Sequence, residues 1–459
     1  MKTQTELVIF RLHHPYGKPQ IYLPTDLLVV ATRLRKAGIN ARVHDLNLHK
    51  LPSDEEIKKC DALGVGVMGP PYIPEGKKII AKLNSITERP IIVGGQPVEK
   101  LAPAHFQKLF GRSVQITNDL ELASALGLNL LSLPSTYTVS IAPMLAEIRK
   151  EDMQKYLASE FSFFISQGCK FNCDFCAAQK KQPEKFREFE AMREDIDILT
   201  RLAKSFGLSK LSMYLSSLDT FQNPDSLIKI MELFEAAASN SGVRLQMRGL
   251  SRVDSFVRAI EAYPELRKLL IRAGFDTVGF GLDGTSERIW RSQHKGQKHL
   301  SLADKALDLC KEIGLTPEVL MVMGFPQDTL RTLAKNYLYT VARAISHGVV
   351  SRPYLAKSFS PGNKGWSSGE YRNAVEELTS NPELFTNIDY AALGSELTHP
   401  NAFHRHISNI AYLALVFTLQ PFGKNTTSPI IPKSQKEGIL AEVYNRIVER
   451  INREIPFDR

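Results

Sequence analysis

The sequence predicts an α/β protein: a doubly wound parallel sheet, then a longer β/α repeat, then a mainly helical end. Three observations carry that expectation. Short apolar strand runs alternate with helix-patterned stretches over the first hundred or so residues. The same alternation returns as six β/α units between residues 161 and 356. Beyond residue 361 the apolar spacing is helical and strand signals stop.

In order, residues 7–10 read as a buried strand, followed by a loop at 13–17. A helix over 25–37 places Leu27, Leu28, Val30, Ala31 and Leu34 along its apolar side and stops at Gly38. Strands follow at 41–45, 62–67 and 90–93, with helices around 75–83 and 103–110. Doubly wound sheets bind ligands beyond the carboxyl ends of their strands. The loops there carry His13 and His14, Met68 and Gly69, and Gly94 and Gly95. Residues 113–155 read as an extended crossing, broken by Leu133-Pro134 and Ala142-Pro143.

The longer repeat has strands at 161–167, 210–215, 244–247, 277–280, 317–323 and 349–356. Its helices fall at 187–205, 224–238, 253–273, 301–313 and 329–346. Further helices are expected at 408–419 and 436–453, with a flexible loop at 423–433. The apolar face of 407–419 reads as core; a lid or a lipid-facing surface are the other readings.

Composition sets outer limits. A chain of 459 residues predicts two to three domains with large cores. Its +9 formal charge is spread along the chain, so it reads as solvated surface. Five cysteines, three of them in one motif, make no disulfide framework and fit a reducing cytosol. The first residues lack a signal-peptide pattern, and no apolar run is long enough to span a membrane. A cytoplasmic location is expected.

The most informative stretch is Cys169-Lys170-Phe171-Asn172-Cys173-Asp174-Phe175-Cys176, just after the strand at 161–167. Three thiolates on one loop suit an iron–sulfur cluster or zinc. Structural zinc takes a fourth protein ligand, yet no cysteine follows closely and no histidine lies between His105 and His294. Three ligands suit a four-iron cluster with one iron open to a small molecule. A zinc loop completed from afar, or buried unligated thiols, are the bland alternatives. Cys60 and Cys310 read as small core residues.

This loop resembles the radical S-adenosylmethionine (radical SAM) signature, with aromatic Phe175 just before the last cysteine. The resemblance implies a partial (β/α)6 radical SAM barrel over 156–360. It implies a 4Fe–4S cluster on Cys169, Cys173 and Cys176, cleavage of S-adenosylmethionine (SAM) and a 5′-deoxyadenosyl radical. It also implies an electron donor such as flavodoxin or ferredoxin. The protein's part in such chemistry is binding, orientation and shielding.

Segments after successive strands add to the likeness. Ser216-Ser217-Leu218-Asp219 stands where the family has Gly-Gly-Glu, with Asp219 placed to accept from the SAM ammonium. Asp283, in Gly281-Leu282-Asp283-Gly284, stands where related members carry a glutamate, within reach of ribose hydroxyls. Gly324, in Met323-Gly324-Phe325-Pro326, is placed for close approach of adenine. Arg248 and Arg252 flank the third strand end and could bind a carboxylate. Lys180, Lys181, Lys185 and Arg187 read as a solvated face, and Lys295-Gly296 matches a family segment of no assigned role.

The first 130 residues resemble the cobalamin (B12)-binding, Rossmann-like domain that precedes many radical SAM cores, with a connector over 131–155 and a helical region over 361–459. The resemblance places cobalamin against His13, Met68, Gly69, Gly94 and Gly95. The Asp-x-His-x-x-Gly motif that supplies a cobalt ligand elsewhere is absent, so cobalamin without a protein ligand is expected. A second three-cysteine group, as in methylthiotransferases, is missing.

The expected activity is cobalamin-dependent methylation of an unactivated carbon on a small-molecule or peptide substrate. A cobalamin-free radical SAM enzyme is the alternative. A metal-stabilised nucleic-acid-binding module is a third reading. It calls for aromatic-interleaved basic stretches, which the sequence lacks, so no nucleic acid is expected.

Overall fold

A computed structural model describes residues 5–14, 21–178, 182–297, 299–356, 366, 372–386, 402–419 and 422–423. The first sheet has five parallel strands: β1 (Thr5–Arg11), β2 (Ile39–Asp45), β3 (Ala62–Gly66), β4 (Ile91–Gly94) and β5 (Val114–Gln115). Their spatial order is β2-β1-β3-β4-β5. The chain thus winds outward in both directions from the β1/β3 pair, the switch point at which such sheets bind ligands. Helices α1 (Thr25–Lys36), α2 (Asp54–Lys59), α3 (Ile73–Ile86), α4 (Gln96–Glu99) and α5 (Pro103–Phe110) make the connections. Helix α2 begins on a capping box between Ser53 and Glu56, a local signal too short to give an apolar period.

The crossing at 113–155 departs from the extended segment expected. It contains β5, α6 (Asp119–Ala125), a 3-10 turn at Leu130–Ser132, α7 (Ala142–Glu147) and α8 (Lys150–Leu157). Pro143 sits in the first turn of α7, where a proline removes no helical hydrogen bond. Asn118 caps α6 by accepting from the Glu121 amide. Helix α8 is tied back to the first sheet, its Tyr156 hydroxyl donating to Asp45 Oδ2 at 2.8 Å.

The second sheet has six parallel strands: β6 (Phe161–Phe164), β9 (Lys210–Ser216), β10 (Arg244–Ser251), β11 (Phe275–Gly281), β12 (Thr316–Met323) and β13 (Val350–Leu355), adjacent in that order. Edge strands β6 and β13 do not pair with each other, so the barrel is open. A small antiparallel pair, β7 (Ser166–Gln167) with β8 (Lys185–Phe186), brackets the cysteine loop. Helices α9 (Phe189–Ser205), α10 (Pro224–Ser241), α11 (Val253–Ala262), α12 (Leu266–Ala273), α13 (Glu287–Ser292), α14 (Ser301–Ile313) and α15 (Leu330–His347) complete the units. The single helix expected over 253–273 is two, because Pro264 holds the residue before it out of helical geometry.

Helix α1 packs against β6, with Thr25 Oγ1 donating to the Ser162 carbonyl at 2.9 Å. One apolar core therefore runs from Leu27, Leu28 and Ala31 into Phe161, Phe163 and the barrel helices. The helix Ala402–Leu419 lies on α15, β12 and β13 and buries Leu415, Val416 and Leu419, which makes it core. Trp366, the helix Arg372–Ser380 and the turn Pro382–Thr386 pack instead on the first sheet's side. There Trp366, Leu378 and Phe385 join Phe10, Phe106 and Phe110 in one cluster. The helix expected at 436–453 lies outside the described residues, as does the loop at 424–433. Among the described residues no helix is long and apolar enough to cross a membrane.

Candidate active site

The cysteine loop leaves the carboxyl end of β6, at the barrel mouth, where loops from successive strands converge. Its base is fixed by backbone: Gln182 N donates to Cys169 O at 3.1 Å and Asp174 N to Gln293 O at 3.0 Å. Cys169, Cys173 and Cys176 are all half-buried and free of disulfides. Burial pushes the Cys169 and Cys173 thiols up; Lys295 and Arg252 pull Cys173 back. The Ala178 amide points at Cys176 Sγ, 3.4 Å away. Among the described residues no three His, Cys, Asp or Glu side chains converge on a single-ion site. A four-iron cube takes its thiolates at separate corners, and three soft donors on one loop fit that demand.

Around this loop the structure gathers several expected residues. Phe175 meets Phe325 edge-on at 5.7 Å, bringing the cysteine loop onto the turn after β12. Gly324 in that turn has φ +85°, and its amide donates to Asp328 Oδ2 at 2.9 Å, as does the Phe325 amide at 3.0 Å. The Gly324 α-carbon faces Ser408 of the last described long helix, so that flank of the turn is covered by protein. Asp283 holds φ +53°, unusual for a residue with a side chain. Its carboxylate is ion-paired with Lys295, whose Nζ also donates to the Gly281 carbonyl at 2.5 Å. Lys295 thus fixes the loop after β11, a role that the sequence left unassigned. Arg252 stacks on Phe171 at 3.6 Å and donates to the Lys295 carbonyl at 2.5 Å, locking the cysteine loop to the same segment.

Two expectations change. Asp219 is 1% exposed, and both its oxygens are engaged. Oδ1 accepts from Ser251 Oγ (2.9 Å) and Arg252 N (3.2 Å), and Oδ2 from Ser255 Oγ (2.6 Å). It staples the start of α11 rather than facing a ligand, although burial raises its carboxyl pKa. Arg248 makes two 2.7 Å bonds to Glu160 and lies 3.8 Å from Glu318, itself bonded to Arg352. These four alternating charges cross the barrel interior, so Arg248 is already neutralised within the fold. Neither side chain's surroundings were legible from its place in the sequence.

At the first sheet's edge, His13 Nδ1 contacts Glu75 Oε1 at 2.6 Å and the ring is half exposed. Burial lowers the pKa of neighbouring His14 to about 4, so it stays neutral near pH 7. Met68 Sδ lies 3.7 Å from the Tyr22 hydroxyl. Among the described residues, a Cβ added at Gly69 would meet nothing closer than Pro71 at 3.7 Å, and one at Gly94 nothing closer than Ile116 at 3.9 Å. Gly95 has φ +123°, and a Cβ there would fall on the Val67 carbonyl. The next residue, Gln96, reaches across to the cysteine loop: Nε2 donates to Ala177 O at 3.4 Å. The carboxyl edges of the two sheets therefore meet.

Residues 163–338 match the model of the radical SAM superfamily. That match covers the cysteine loop and most of the six-stranded barrel, which follows a Rossmann-like five-stranded sheet. A radical SAM domain implies a 4Fe–4S cluster and SAM as cofactors.

Among solved structures, the chain is similar to the radical SAM methyltransferase TsrM from Kitasatospora setae with cobalamin and a 4Fe–4S cluster bound. That likeness has a TM-score of 0.59 and 16% identity, over 77% of this chain and 75% of that one. It is also similar to the cobalamin-dependent SAM radical enzyme OxsB with aqua-cobalamin bound, with a TM-score of 0.55 and 15% identity, over 84% of this chain and 56% of that one. At such identities the likeness is one of fold. No curated protein matches the sequence.

Proposed function

We propose that this enzyme binds a 4Fe–4S cluster on Cys169, Cys173 and Cys176 and uses SAM with cobalamin to methylate an unactivated carbon. The observation that carries this is the meeting of the two sheet edges, with Gln96 of the first reaching Ala177 beside the last cysteine. When bound, these cofactors supply SAM cleavage, an adenosyl radical and a methyl group. The chain's residues hold and shield them. Lys295 and Arg252 fix the loops around the cysteines, Phe175 and Phe325 wall the barrel mouth, and Gly69 and Gly94 leave space at the switch point for a large flat ring. The substrate is a small molecule or peptide, and a low-potential donor such as flavodoxin or ferredoxin supplies electrons in the cytoplasm.

Anaerobically reconstituted protein is expected to hold about four irons and four sulfides per chain. With reductant it should release 5′-deoxyadenosine. Protein produced with ample cobalamin should retain cobalt after desalting, and His13→Ala should leave the cobalamin spectrum unchanged. Stoichiometric zinc without iron would end the reading. Iron and 5′-deoxyadenosine without cobalt would move it to a cobalamin-free radical SAM enzyme.

A further inference from the structure

The segment that closes the cysteine loop carries a carboxylate in an unusual setting. Glu184, just before β8, is turned inward between the ends of β6 and β9. Its Oε1 accepts from Ser166 Oγ at 2.6 Å and from Ser217 Oγ at 3.4 Å, and its Oε2 accepts from Gln222 Nε2 at 3.2 Å. All three donors are neutral. No cation among the described residues forms an ion pair with it, and the Asp219 carboxylate adds to burial in raising its pKa. A partly buried carboxylate that acts with another and has no counter-charge among the described residues is relieved either by keeping its proton or by a cation that completes it.

The surroundings say which cation. Ser217 belongs to Ser216-Ser217-Leu218-Asp219, the segment after β9 where a SAM ammonium acceptor was expected. Asp219 itself is turned away and fully engaged on Ser251, Ser255 and the Arg252 amide. Gln222, which donates to Glu184, also accepts from the Lys170 amide at 3.2 Å, directly after Cys169. Glu184 is thus linked through one side chain to the cysteine loop and through another to the second strand end. Its ring of neutral donors orients the carboxylate without cancelling its charge.

Resting on the radical SAM reading above, we propose that Glu184 forms a subsite for a primary ammonium group, that of the methionine end of SAM, in place of the strand-end acidic residue. It is a binding residue and takes no part in bond cleavage. Ser217, standing where the family has a glycine, then serves with Ser166 as a hydroxyl donor that holds Glu184.

The test uses unreduced, cluster-reconstituted full-length protein and two ligands: SAM, and an analogue whose α-amine is replaced by hydrogen. Loss of a charge-assisted hydrogen bond should weaken SAM binding by about tenfold or more in Glu184→Gln. Binding of the amine-free analogue should change by less than about twofold. Glu184→Asp keeps the charge but shortens its reach. It should give a smaller loss with the same selectivity for SAM, and it serves if the glutamine variant folds poorly. Equal losses for both ligands, or none for SAM, would overturn the subsite. Wild-type protein that binds the cluster but favours SAM no more than its amine-free analogue would overturn it too. Protein that assembles no iron–sulfur cluster would instead defeat the reading on which the subsite rests.

Discussion

The two parallel sheets meet at their carboxyl ends and furnish those ends differently. The barrel edge is rich in carboxylates, each with a stated task. Asp219 staples α11, Asp283 pairs with Lys295, and Asp328 gathers the Gly324 and Phe325 amides. The first sheet's edge sets small and aromatic groups, Gly69, Gly94, Gly95, Met68 and Tyr22, beside the Arg11–Asp45 ion pair and the His13–Glu75 contact. One edge is organised by charge and hydrogen bonds, which suits small polar ligands and a cluster. The other offers backbone close to open space, which suits a broad, flat one. The difference teaches that a single rule of ligand placement accommodates two chemistries.

The sharpest way to break the comparison is at the cysteines. Cys169→Ala, Cys173→Ala and Cys176→Ala should each abolish iron incorporation while cobalt retention by the first sheet survives. Loss of both together would show that the edges do not work independently. Metal analysis of desalted protein reads both.

The next effect is at Lys295. Lys295→Met leaves Asp283 buried without its partner and should destabilise the barrel by about 3–5 kcal/mol. In the Lys295→Met, Asp283→Leu double variant much of that loss should return, as measured by denaturant unfolding. An additive outcome would mean that the pair does not organise this edge.

On the other edge, Gly95→Ala forces a side chain into positive-φ backbone and onto the Val67 carbonyl, a loss of roughly 1–3 kcal/mol or more. The same substitution at Gly94, where the added Cβ would meet only Ile116 at 3.9 Å among the described residues, should cost well under that. Thermal midpoints of the two variants compare them directly.

The smallest effect is a slope. Burial holds the Asp219 carboxyl above its usual pKa, so the folded chain binds that proton more tightly than the unfolded one. The contribution of Asp219 to stability therefore falls as pH rises from about 4 through its folded value, and is flat above it. Denaturation midpoints of wild type minus Asp219→Asn should decline with pH over that window. A rise would mean that the hydroxyls of Ser251 and Ser255 outweigh burial.

Much of this architecture was legible in the sequence because it rests on periodicity. Strands β1 to β4 and the six barrel strands lie within a few residues of their expected places, since buried apolar runs and alternation are local signals. Two-residue β5 and six-residue α2 are too short to show a period. The cysteine spacing was legible because thiolate ligands must cluster in sequence as well as in space. What each carboxylate does was not. Asp219, Asp283 and Glu184 look alike in a sequence, and only tertiary packing decides that one faces hydroxyls and an amide, one a lysine and one neutral donors alone. The pairing of Arg248 was not legible for the same reason: Glu160, its partner, is 88 residues away.

The return of residues 366–386 to the first sheet bears on how the chain assembles during synthesis. The strands of that sheet are made before the barrel, yet their apolar cluster includes Trp366, Val375, Leu378 and Phe385. At about 5–20 residues per second, the early sheet waits many seconds for the segment that completes it. The whole barrel is translated in the interval. The first sheet is thus made before the barrel and sealed after it, and its ligand edge is closed against the barrel mouth only in a chain that already contains the cysteine loop.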